Sequence, residues 1–517
     1  MLVIVIALGL AAVLVFAAGD RWGLPWPVLM VVVTAGAAFI PGLPRVQIEP
    51  ELILPLLLPP LLWAVARRGS WAMYRSQWRA ILTLAALLVL ATMAAVAGMA
   101  LLLTAGISVA AAIALGAVVA PPDPVAVEAV AGSVGMPRRI LGVLQTEGLF
   151  NDAVSLVVFQ LAVQAAIGSS PTTAWGVLAR FGYAVVAAAA IGVAAAFLAR
   201  QILRRVSDVA ASAALTLVIP FAVYLTADRV GASGVIAVVV AALALGQAPA
   251  DQAVERVVGD SFWRVIELLI TGIAFGLIGL ELPAVASAAG NQLGLMVAHG
   301  VLIAVMVVVL RAVWMVLIGV RVRRRGDSNG APRTLREAAV MAWSGMRGLV
   351  TLALALSLPL QGFPARTEIT VIAVIVLLVT LVGQGLTLPW AVRTLGVASE
   401  GEVENTADTA LARRARSAAL AAIQAEAEVR PVSADIRDQV LTRFADLTDA
   451  TVNDPDRETH QARLRDWRAK SQEWKRFQGV GLTAARQELL SARTEPGVDP
   501  ESVDRIVQRL DVRSLLA

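Results

Sequence analysis

Apolar residues run in long blocks along the first three quarters of the chain, and charged residues are confined mostly to the gaps between them. A hydrocarbon core about 30 Å thick takes a helix of roughly 17–25 residues, and blocks of that kind fall near 2–18, 25–41, 51–66, 80–103, 107–130, 140–166, 174–198, 209–227, 231–248, 262–282, 292–320, 337–359 and 368–392. Thirteen membrane-spanning helices are therefore expected, in an all-α polytopic membrane protein. After Gly396 the pattern changes. Apolar and charged positions alternate at helical spacing over 407–429, 433–447 and 458–478, which predicts amphipathic helices. Residues 1–396 are thus read as a membrane domain and 397–517 as a small cytoplasmic helical domain, with regulation or partner binding as its sharper role.

Proline and glycine punctuate three of the spans. Pro55, Pro59 and Pro60 lie in the third, while Pro121, Pro122 and Pro124 surround Asp123 in the fifth. Proline lacks the backbone donor and clashes with the preceding turn, so the fifth span should be broken at Asp123. Gly345 and Gly348 around Arg347 suggest a second break in the twelfth. Broken helix is tolerated in a bilayer only where protein or a water-filled cavity surrounds it. Two broken spans in corresponding positions of two halves point to an inverted-repeat transporter with a site near the midplane.

Composition and charge sharpen this picture. The chain of 517 residues is 58% hydrophobic and 16% charged, with a mean hydropathy of +0.75, well outside the soluble range. Cysteine is absent and only His299 and His460 occur, so disulfides are excluded and no transition-metal site or other cofactor is expected. Up to Leu395 there are 25 basic and 17 acidic residues, a net +8; beyond it 18 and 21, a net −3. The positive excess belongs to membrane loops and does not point to nucleic acid. Alternate loops hold arginines in a ratio of eighteen to three, Arg45, Arg229 and Arg366 being the minority. That bias predicts an outside amino terminus and a cytoplasmic carboxyl terminus. The first apolar run lacks the basic flank and cleavage site of a signal peptide.

The candidate chemistry lies in the polar residues inside the apolar blocks. The sixth span carries Glu147, Asn151 and Asp152, although a carboxylate at bilayer depth costs about 2.5–3.5 kcal/mol on insertion scales. Glu147 and Asn151 share a helical face, and Asp152 is turned about 140° from Glu147 at 3.6 residues per turn. The two acids converge only if the helix bends near Gly148 or another helix completes the pocket; alternatively, one is protonated or paired with an arginine. Asp123 sits where prolines free backbone carbonyls, suited to a hard cation or, alternatively, to capping the half-helix that restarts at Pro124. Arg311 and Arg347 need counter-charges or carbonyl partners, and Arg347 reads as structural and electrostatic, with anion binding as its sharper alternative. The expectation is a site that binds a small cation and a proton in alternation. A cation channel without proton coupling is the rival from another class, although no repeated selectivity-filter motif is present. No nucleophile constellation or phosphate loop suggests an enzyme.

Taken in order, these residues resemble the first family of monovalent cation:proton antiporters, the bacterial NhaP-type sodium/proton antiporters and the eukaryotic sodium/proton exchangers. The resemblance runs over residues 1–396. It rests on Leu58-Pro59-Pro60-Leu61-Leu62, Ala120-Pro121-Pro122-Asp123-Pro124-Val125-Ala126, Glu147 through Asp152, Phe275 through Leu280, Arg311, and Trp343-Ser344-Gly345-Met346-Arg347-Gly348. It implies a thirteen-span inverted repeat in the cell membrane, usually a homodimer, with Asp152 as the ion and proton carrier and Glu147 and Asp123 completing a monovalent-cation site. Asn151-Asp152 in place of two aspartates resembles the electroneutral, one-for-one branch. Sodium is the expected cation, with lithium also accommodated; a potassium/proton antiporter is the nearest alternative. The chain departs from the family pattern at Ala64 and Gln145, where many members have glutamate, and at Pro122, where they have threonine or serine. Arg347 may thereby lose a familiar partner, leaving Glu128, Glu147 or Glu267 as replacements.

Overall fold

The computed structural model describes residues 2–40, 50–67, 82–128, 135–168, 174–206, 208–246, 253–325 and 332–397, together with residue 421. Contacts divide the chain into Met1–Gly401 and Glu402–Ala517; the amphipathic segments expected beyond 397 lie outside the described residues.

Each of the thirteen apolar blocks coincides with a helix or with a broken helix. In order these are α1 (Leu2–Trp22), α2 (Trp26–Ala38), α3 (Pro50–Ala66), α4 (Val89–Leu103, entered through a π-helical turn Leu82–Leu88), α5 (Val109–Val119), α6 (Arg138–Ala166), α7 (Ala174–Leu203), α8 (Val209–Arg229), α9 (Gly234–Gly246), α10 (Ala253–Ala289), α11 (Leu293–Arg325), α12 (Leu335–Trp343), α13 (Leu349–Leu356), α14 (Arg366–Leu378) and, after a π-helical turn Val379–Gln384, α15 (Gly385–Thr394). No strand occurs among the described residues. Several helical runs are long and apolar enough to cross a membrane, including Val109–Glu128, Arg139–Ala166 and Arg366–Thr394.

Both expected breaks are present. The fifth span stops at Val119, passes through extended chain at 121–123 and resumes as helix over 124–128. The twelfth is interrupted between Trp343 and Leu349. The third span, by contrast, remains one helix despite its three prolines. Each proline removes one donor, but none stands beside a run of further prolines long enough to force the chain straight.

Two groups of helices emerge from the packing. The first joins α4, α5 and α6 to α11, the α12–α13 pair and α14–α15; the second joins α1, α2 and α3 to α7, α8, α9 and α10. Within the first group, spans four to six and eleven to thirteen have the same plan of helix, broken helix, helix. Seven crossings separate corresponding members, so they run in opposite directions through the bilayer. This is an inverted repeat. Helices α3 and α10 of the second group reach across to α13, which places the boundary between the groups beside the two breaks.

Lipid tails are as apolar as leucine, so helix association in a membrane depends on close fit and small residues. Gly279 of α10 shows this: a Cβ there would stand 2.2 Å from Thr34 Oγ1 and 2.5 Å from the Val31 carbonyl oxygen of α2. Overpacking of this kind costs about 1–3 kcal/mol. Gly279→Ala is therefore expected to lower the unfolding temperature of the detergent-solubilised protein. Gly98→Ala, at a helical site with open space around it, should be neutral or slightly stabilising in the same melt.

Candidate functional site

The two breaks are tied together by Asp123. Its backbone N–H donates to the Met346 carbonyl at 2.7 Å. Its Oδ1 accepts from the Val125 N–H at 2.8 Å, and its Oδ2 accepts from the Leu349 N–H at 3.2 Å. One carboxylate thus caps both restarting half-helices, where free amides and the helix dipole favour negative charge. Gly348 makes this possible, because a Cβ there would lie 1.6 Å from Asp123 Oδ2. Of the two roles read from the sequence, the geometry supplies the cap.

Arg347 serves the opposite ends. Its Nε donates to the Val119 carbonyl at 3.0 Å and its Nη2 to the Ala120 carbonyl at 3.2 Å, while Nη1 reaches the Gly345 carbonyl. A cation on the last carbonyls of α5 opposes the negative end of that half-helix. Its own N–H donates to Thr380 Oγ1 at 3.2 Å. Arg347 therefore takes carbonyl partners and no carboxylate among the described residues, in place of the expected Glu128, Glu147 or Glu267.

Glu147 is engaged elsewhere. Arg311 holds it with both nitrogens, Nη1 to Oε1 at 2.5 Å and Nη2 to Oε2 at 2.8 Å, and donates from Nε to the Met341 carbonyl near the end of α12 at 3.2 Å. Both side chains are buried, and a bidentate pair at this depth is the strong form of such a bond. The sequence had left open whether α6 bends near Gly148 to let Glu147 and Asp152 converge. It does not bend; α6 is continuous from Arg138 to Ala166, so the two acids point to different neighbours. Gly148 has another use: a Cβ there would lie 2.4 Å from Pro124 Cγ, so the helix lets the restarting half-helix seat against it. Asn151 steadies the same approach, its Nδ2 donating to the Pro122 carbonyl at 3.2 Å.

Asp152 remains. It is 4% exposed, and among the described residues no hydrogen bond or ion pair reaches its carboxylate. It lines, with Asp123, a cavity of about 20 Å³ whose other walls include Leu62 of α3, Phe275 of α10 and Leu349 of α13. That space holds about one water-sized particle. Glu147 is not among the residues lining it. The site therefore sits at the boundary between the two helix groups, with a single uncommitted acid.

A family model described as the transmembrane sodium/hydrogen exchanger matches residues 5–394. The chain belongs to the sodium/hydrogen exchanger family. It is 31% identical over 473 residues to a protein of Mycobacterium tuberculosis described as an uncharacterized Na(+)/H(+) exchanger, with 88% of this chain and 86% of that one covered. It is 30% identical to the low-affinity Na(+)/H(+) antiporter NhaS1 of Synechocystis, covering 72% and 70%. The fold is that of the sodium proton antiporter MjNhaP1 from Methanocaldococcus jannaschii, with a TM-score of 0.57 at 19% identity over 77% of this chain and 98% of that one. Exchangers of this family are multi-pass membrane transporters and not a class of enzymes.

Within the exchanger fold, two contributors escaped the sequence reading. Thr380, in the π-helical turn before α15, supports the second break through Arg347. Glu337 accepts from Arg139 Nη2 at 2.8 Å and from the Arg333 N–H at 2.7 Å, joining the start of α6 to the start of α12. Its signal was available: Thr334 caps the Glu337 N–H at 3.1 Å, and Thr-x-x-Glu is a capping-box spacing.

Removing one member of a buried ion pair leaves the other charge uncompensated and costs about 3–5 kcal/mol, whereas replacing both by apolar groups is often neutral. Glu147→Ala is accordingly expected to lower the unfolding temperature sharply, and Glu147→Leu combined with Arg311→Met to recover most of the loss. Equal melting of single and double variants would contradict the pairing.

Proposed function

We propose that this protein exchanges sodium for protons, one for one, by competition of the two ligands for Asp152. The observation that carries this is the isolation of that carboxylate. With Asp123, Glu147, Asp152, Arg311 and Arg347 all ionised, the centre holds one net negative charge, and it resides on Asp152. One proton or one monovalent cation neutralises it, and both together are disfavoured by the same electrostatics. A neutral, loaded site crosses a low-dielectric barrier far more readily than a bare charge, so each crossing carries one ligand or the other. Na+/H+ antiporters among the relatives, including the Synechocystis protein, support sodium as the cation.

The proposed cycle uses the boundary on which the site lies. Movement of the group containing the two breaks against α3 and α10 opens Asp152 to one aqueous phase and then to the other. Asp123 and Asn151 hold the breaks in register meanwhile, and Asp123 lends one wall to the cavity. Glu147 acts through Arg311 to hold α6 against α11 and α12, and Arg347 keeps the end of α5 in place. The arginine bias of the loops supports a cytoplasmic carboxyl terminus and an outside amino terminus. A homodimer in the cell membrane is the assembly this reading takes from its family.

In inside-out vesicles, Asp152→Asn should abolish proton movement on addition of sodium while the protein remains folded and membrane-inserted. Retained exchange in that variant would sink the assignment. In the unaltered protein, the sodium concentration giving half-maximal rate should rise as the pH falls, approaching tenfold per unit once the proton is the dominant occupant. Exchange should also proceed equally at zero and at negative membrane potential set with potassium and valinomycin. A rate that follows the potential would exclude one-for-one exchange.

A further inference from the structure

Hydroxyls buried inside membrane helices ordinarily donate to a carbonyl one turn back on their own helix. This protein follows that habit at Thr34, Thr92, Thr146, Thr370 and Thr380. Three hydroxyls depart from it. Ser155 Oγ, Thr271 Oγ1 and Thr351 Oγ1 are buried and have no hydrogen-bond partner, and Asn151 Oδ1 shares that state. All four residues are at most 1% exposed.

Their placement follows the cavity. Ser155 stands one turn beyond Asp152 on the same face of α6. Thr271 stands one turn before Ala274 and Phe275, the two residues of α10 that line the cavity. Thr351 stands one turn beyond Gly348, whose backbone lies against Asp123, and next to the cavity-lining Val350 of α13. One unsatisfied hydroxyl therefore comes from each of three surrounding helices. A buried hydroxyl left unpaired costs about 1–3 kcal/mol, and three around one cavity point to an occupant.

The ion needs such groups. Hard cations are held by several oxygens, yet the cavity walls are mainly aliphatic, both Asp123 oxygens are engaged with backbone amides, and Asp152 offers only two. We infer that Ser155, Thr271 and Thr351, with Asn151 Oδ1, supply the neutral oxygens that replace the hydration shell of the cation, directly or through one retained water, and so set which monovalent cation is accepted. This rests on the reading of Asp152 as the cation carrier.

The test is the sodium dependence of proton flux in proteoliposomes of the full chain, repeated with lithium and potassium. Ser155→Ala, Thr271→Val and Thr351→Val are each expected to raise the half-saturating sodium concentration at least threefold and to change the sodium-to-potassium preference. Thr146→Val, on the same helix as Ser155 but bonded to its own backbone, should stay within twofold on both measures. Ser155→Thr, Thr271→Ser and Thr351→Ser keep the oxygen and should restore values close to the unaltered protein. If an apolar variant does not fold, the remaining variants and the sodium-induced rise in unfolding temperature decide, a rise that should shrink in Ser155→Cys. Unchanged half-saturation and unchanged cation order in folded variants would overturn the inference while leaving Asp152 in place. Absence of cation-driven flux in the unaltered protein would instead overturn the antiport reading itself.

Discussion

The carboxylate of Asp123, shared between the Val125 and Leu349 amides, is the interaction on which the rest of this structure depends. Two helices that stop inside a membrane leave free amides and carbonyls in a medium that cannot hydrogen-bond them. Four such ends meet here. Asp123 takes both amide ends, Arg347 takes the carbonyls of α5, and Arg311 takes one near the end of α12. Each breach of the helical ladder is closed by a charge of the sign that its dipole favours.

This arrangement determines what is left over. Asp123 is spent on amides and Glu147 on Arg311, so neither behaves as a free acid, although both looked like ligands when read as carboxylates at bilayer depth. Asp152 differs in its surroundings and not in its residue type. It projects into the small cavity at the seam between the two helix groups, where no basic side chain of the described residues follows it. An insertion cost is borne at three acids, and only one of them remains available for chemistry.

Much of the fold was legible because its causes are local. Span length follows from apolar run length, and the first break follows from three prolines around Asp123. The second needed only Gly345 and Gly348, which remove side chains where the chain must approach Asp123 and Arg311 closely. The partners of the charges were not legible in the same way. Glu147 meets Arg311 across 164 positions and Arg347 meets Val119 across 228, distances over which periodicity carries no information. Gly148 was read as a place for α6 to bend, yet its missing Cβ admits Pro124 while the helix stays straight. A glycine in a helix marks a close neighbour as readily as a hinge, and sequence alone does not separate the two.

The same closure of the breaks bears on movement. If Asp123 or Arg347 changed partners during transport, buried amides or carbonyls would be exposed to lipid at each turn, at several kcal/mol for each group. Exchange is compatible with this structure only if the two breaks and their charges travel as one body. The seam with α3 and α10 offers the alternative: it is lined by aliphatic and aromatic side chains, whose contacts lack direction and can slide at little cost. The one charge that faces this seam is Asp152. Left bare, it would have to be drawn past those apolar walls; carrying a proton or a cation, it would not. In the proposed exchange, coupling therefore needs no separate gate, because an apolar seam against a single unpaired acid already penalises the empty crossing.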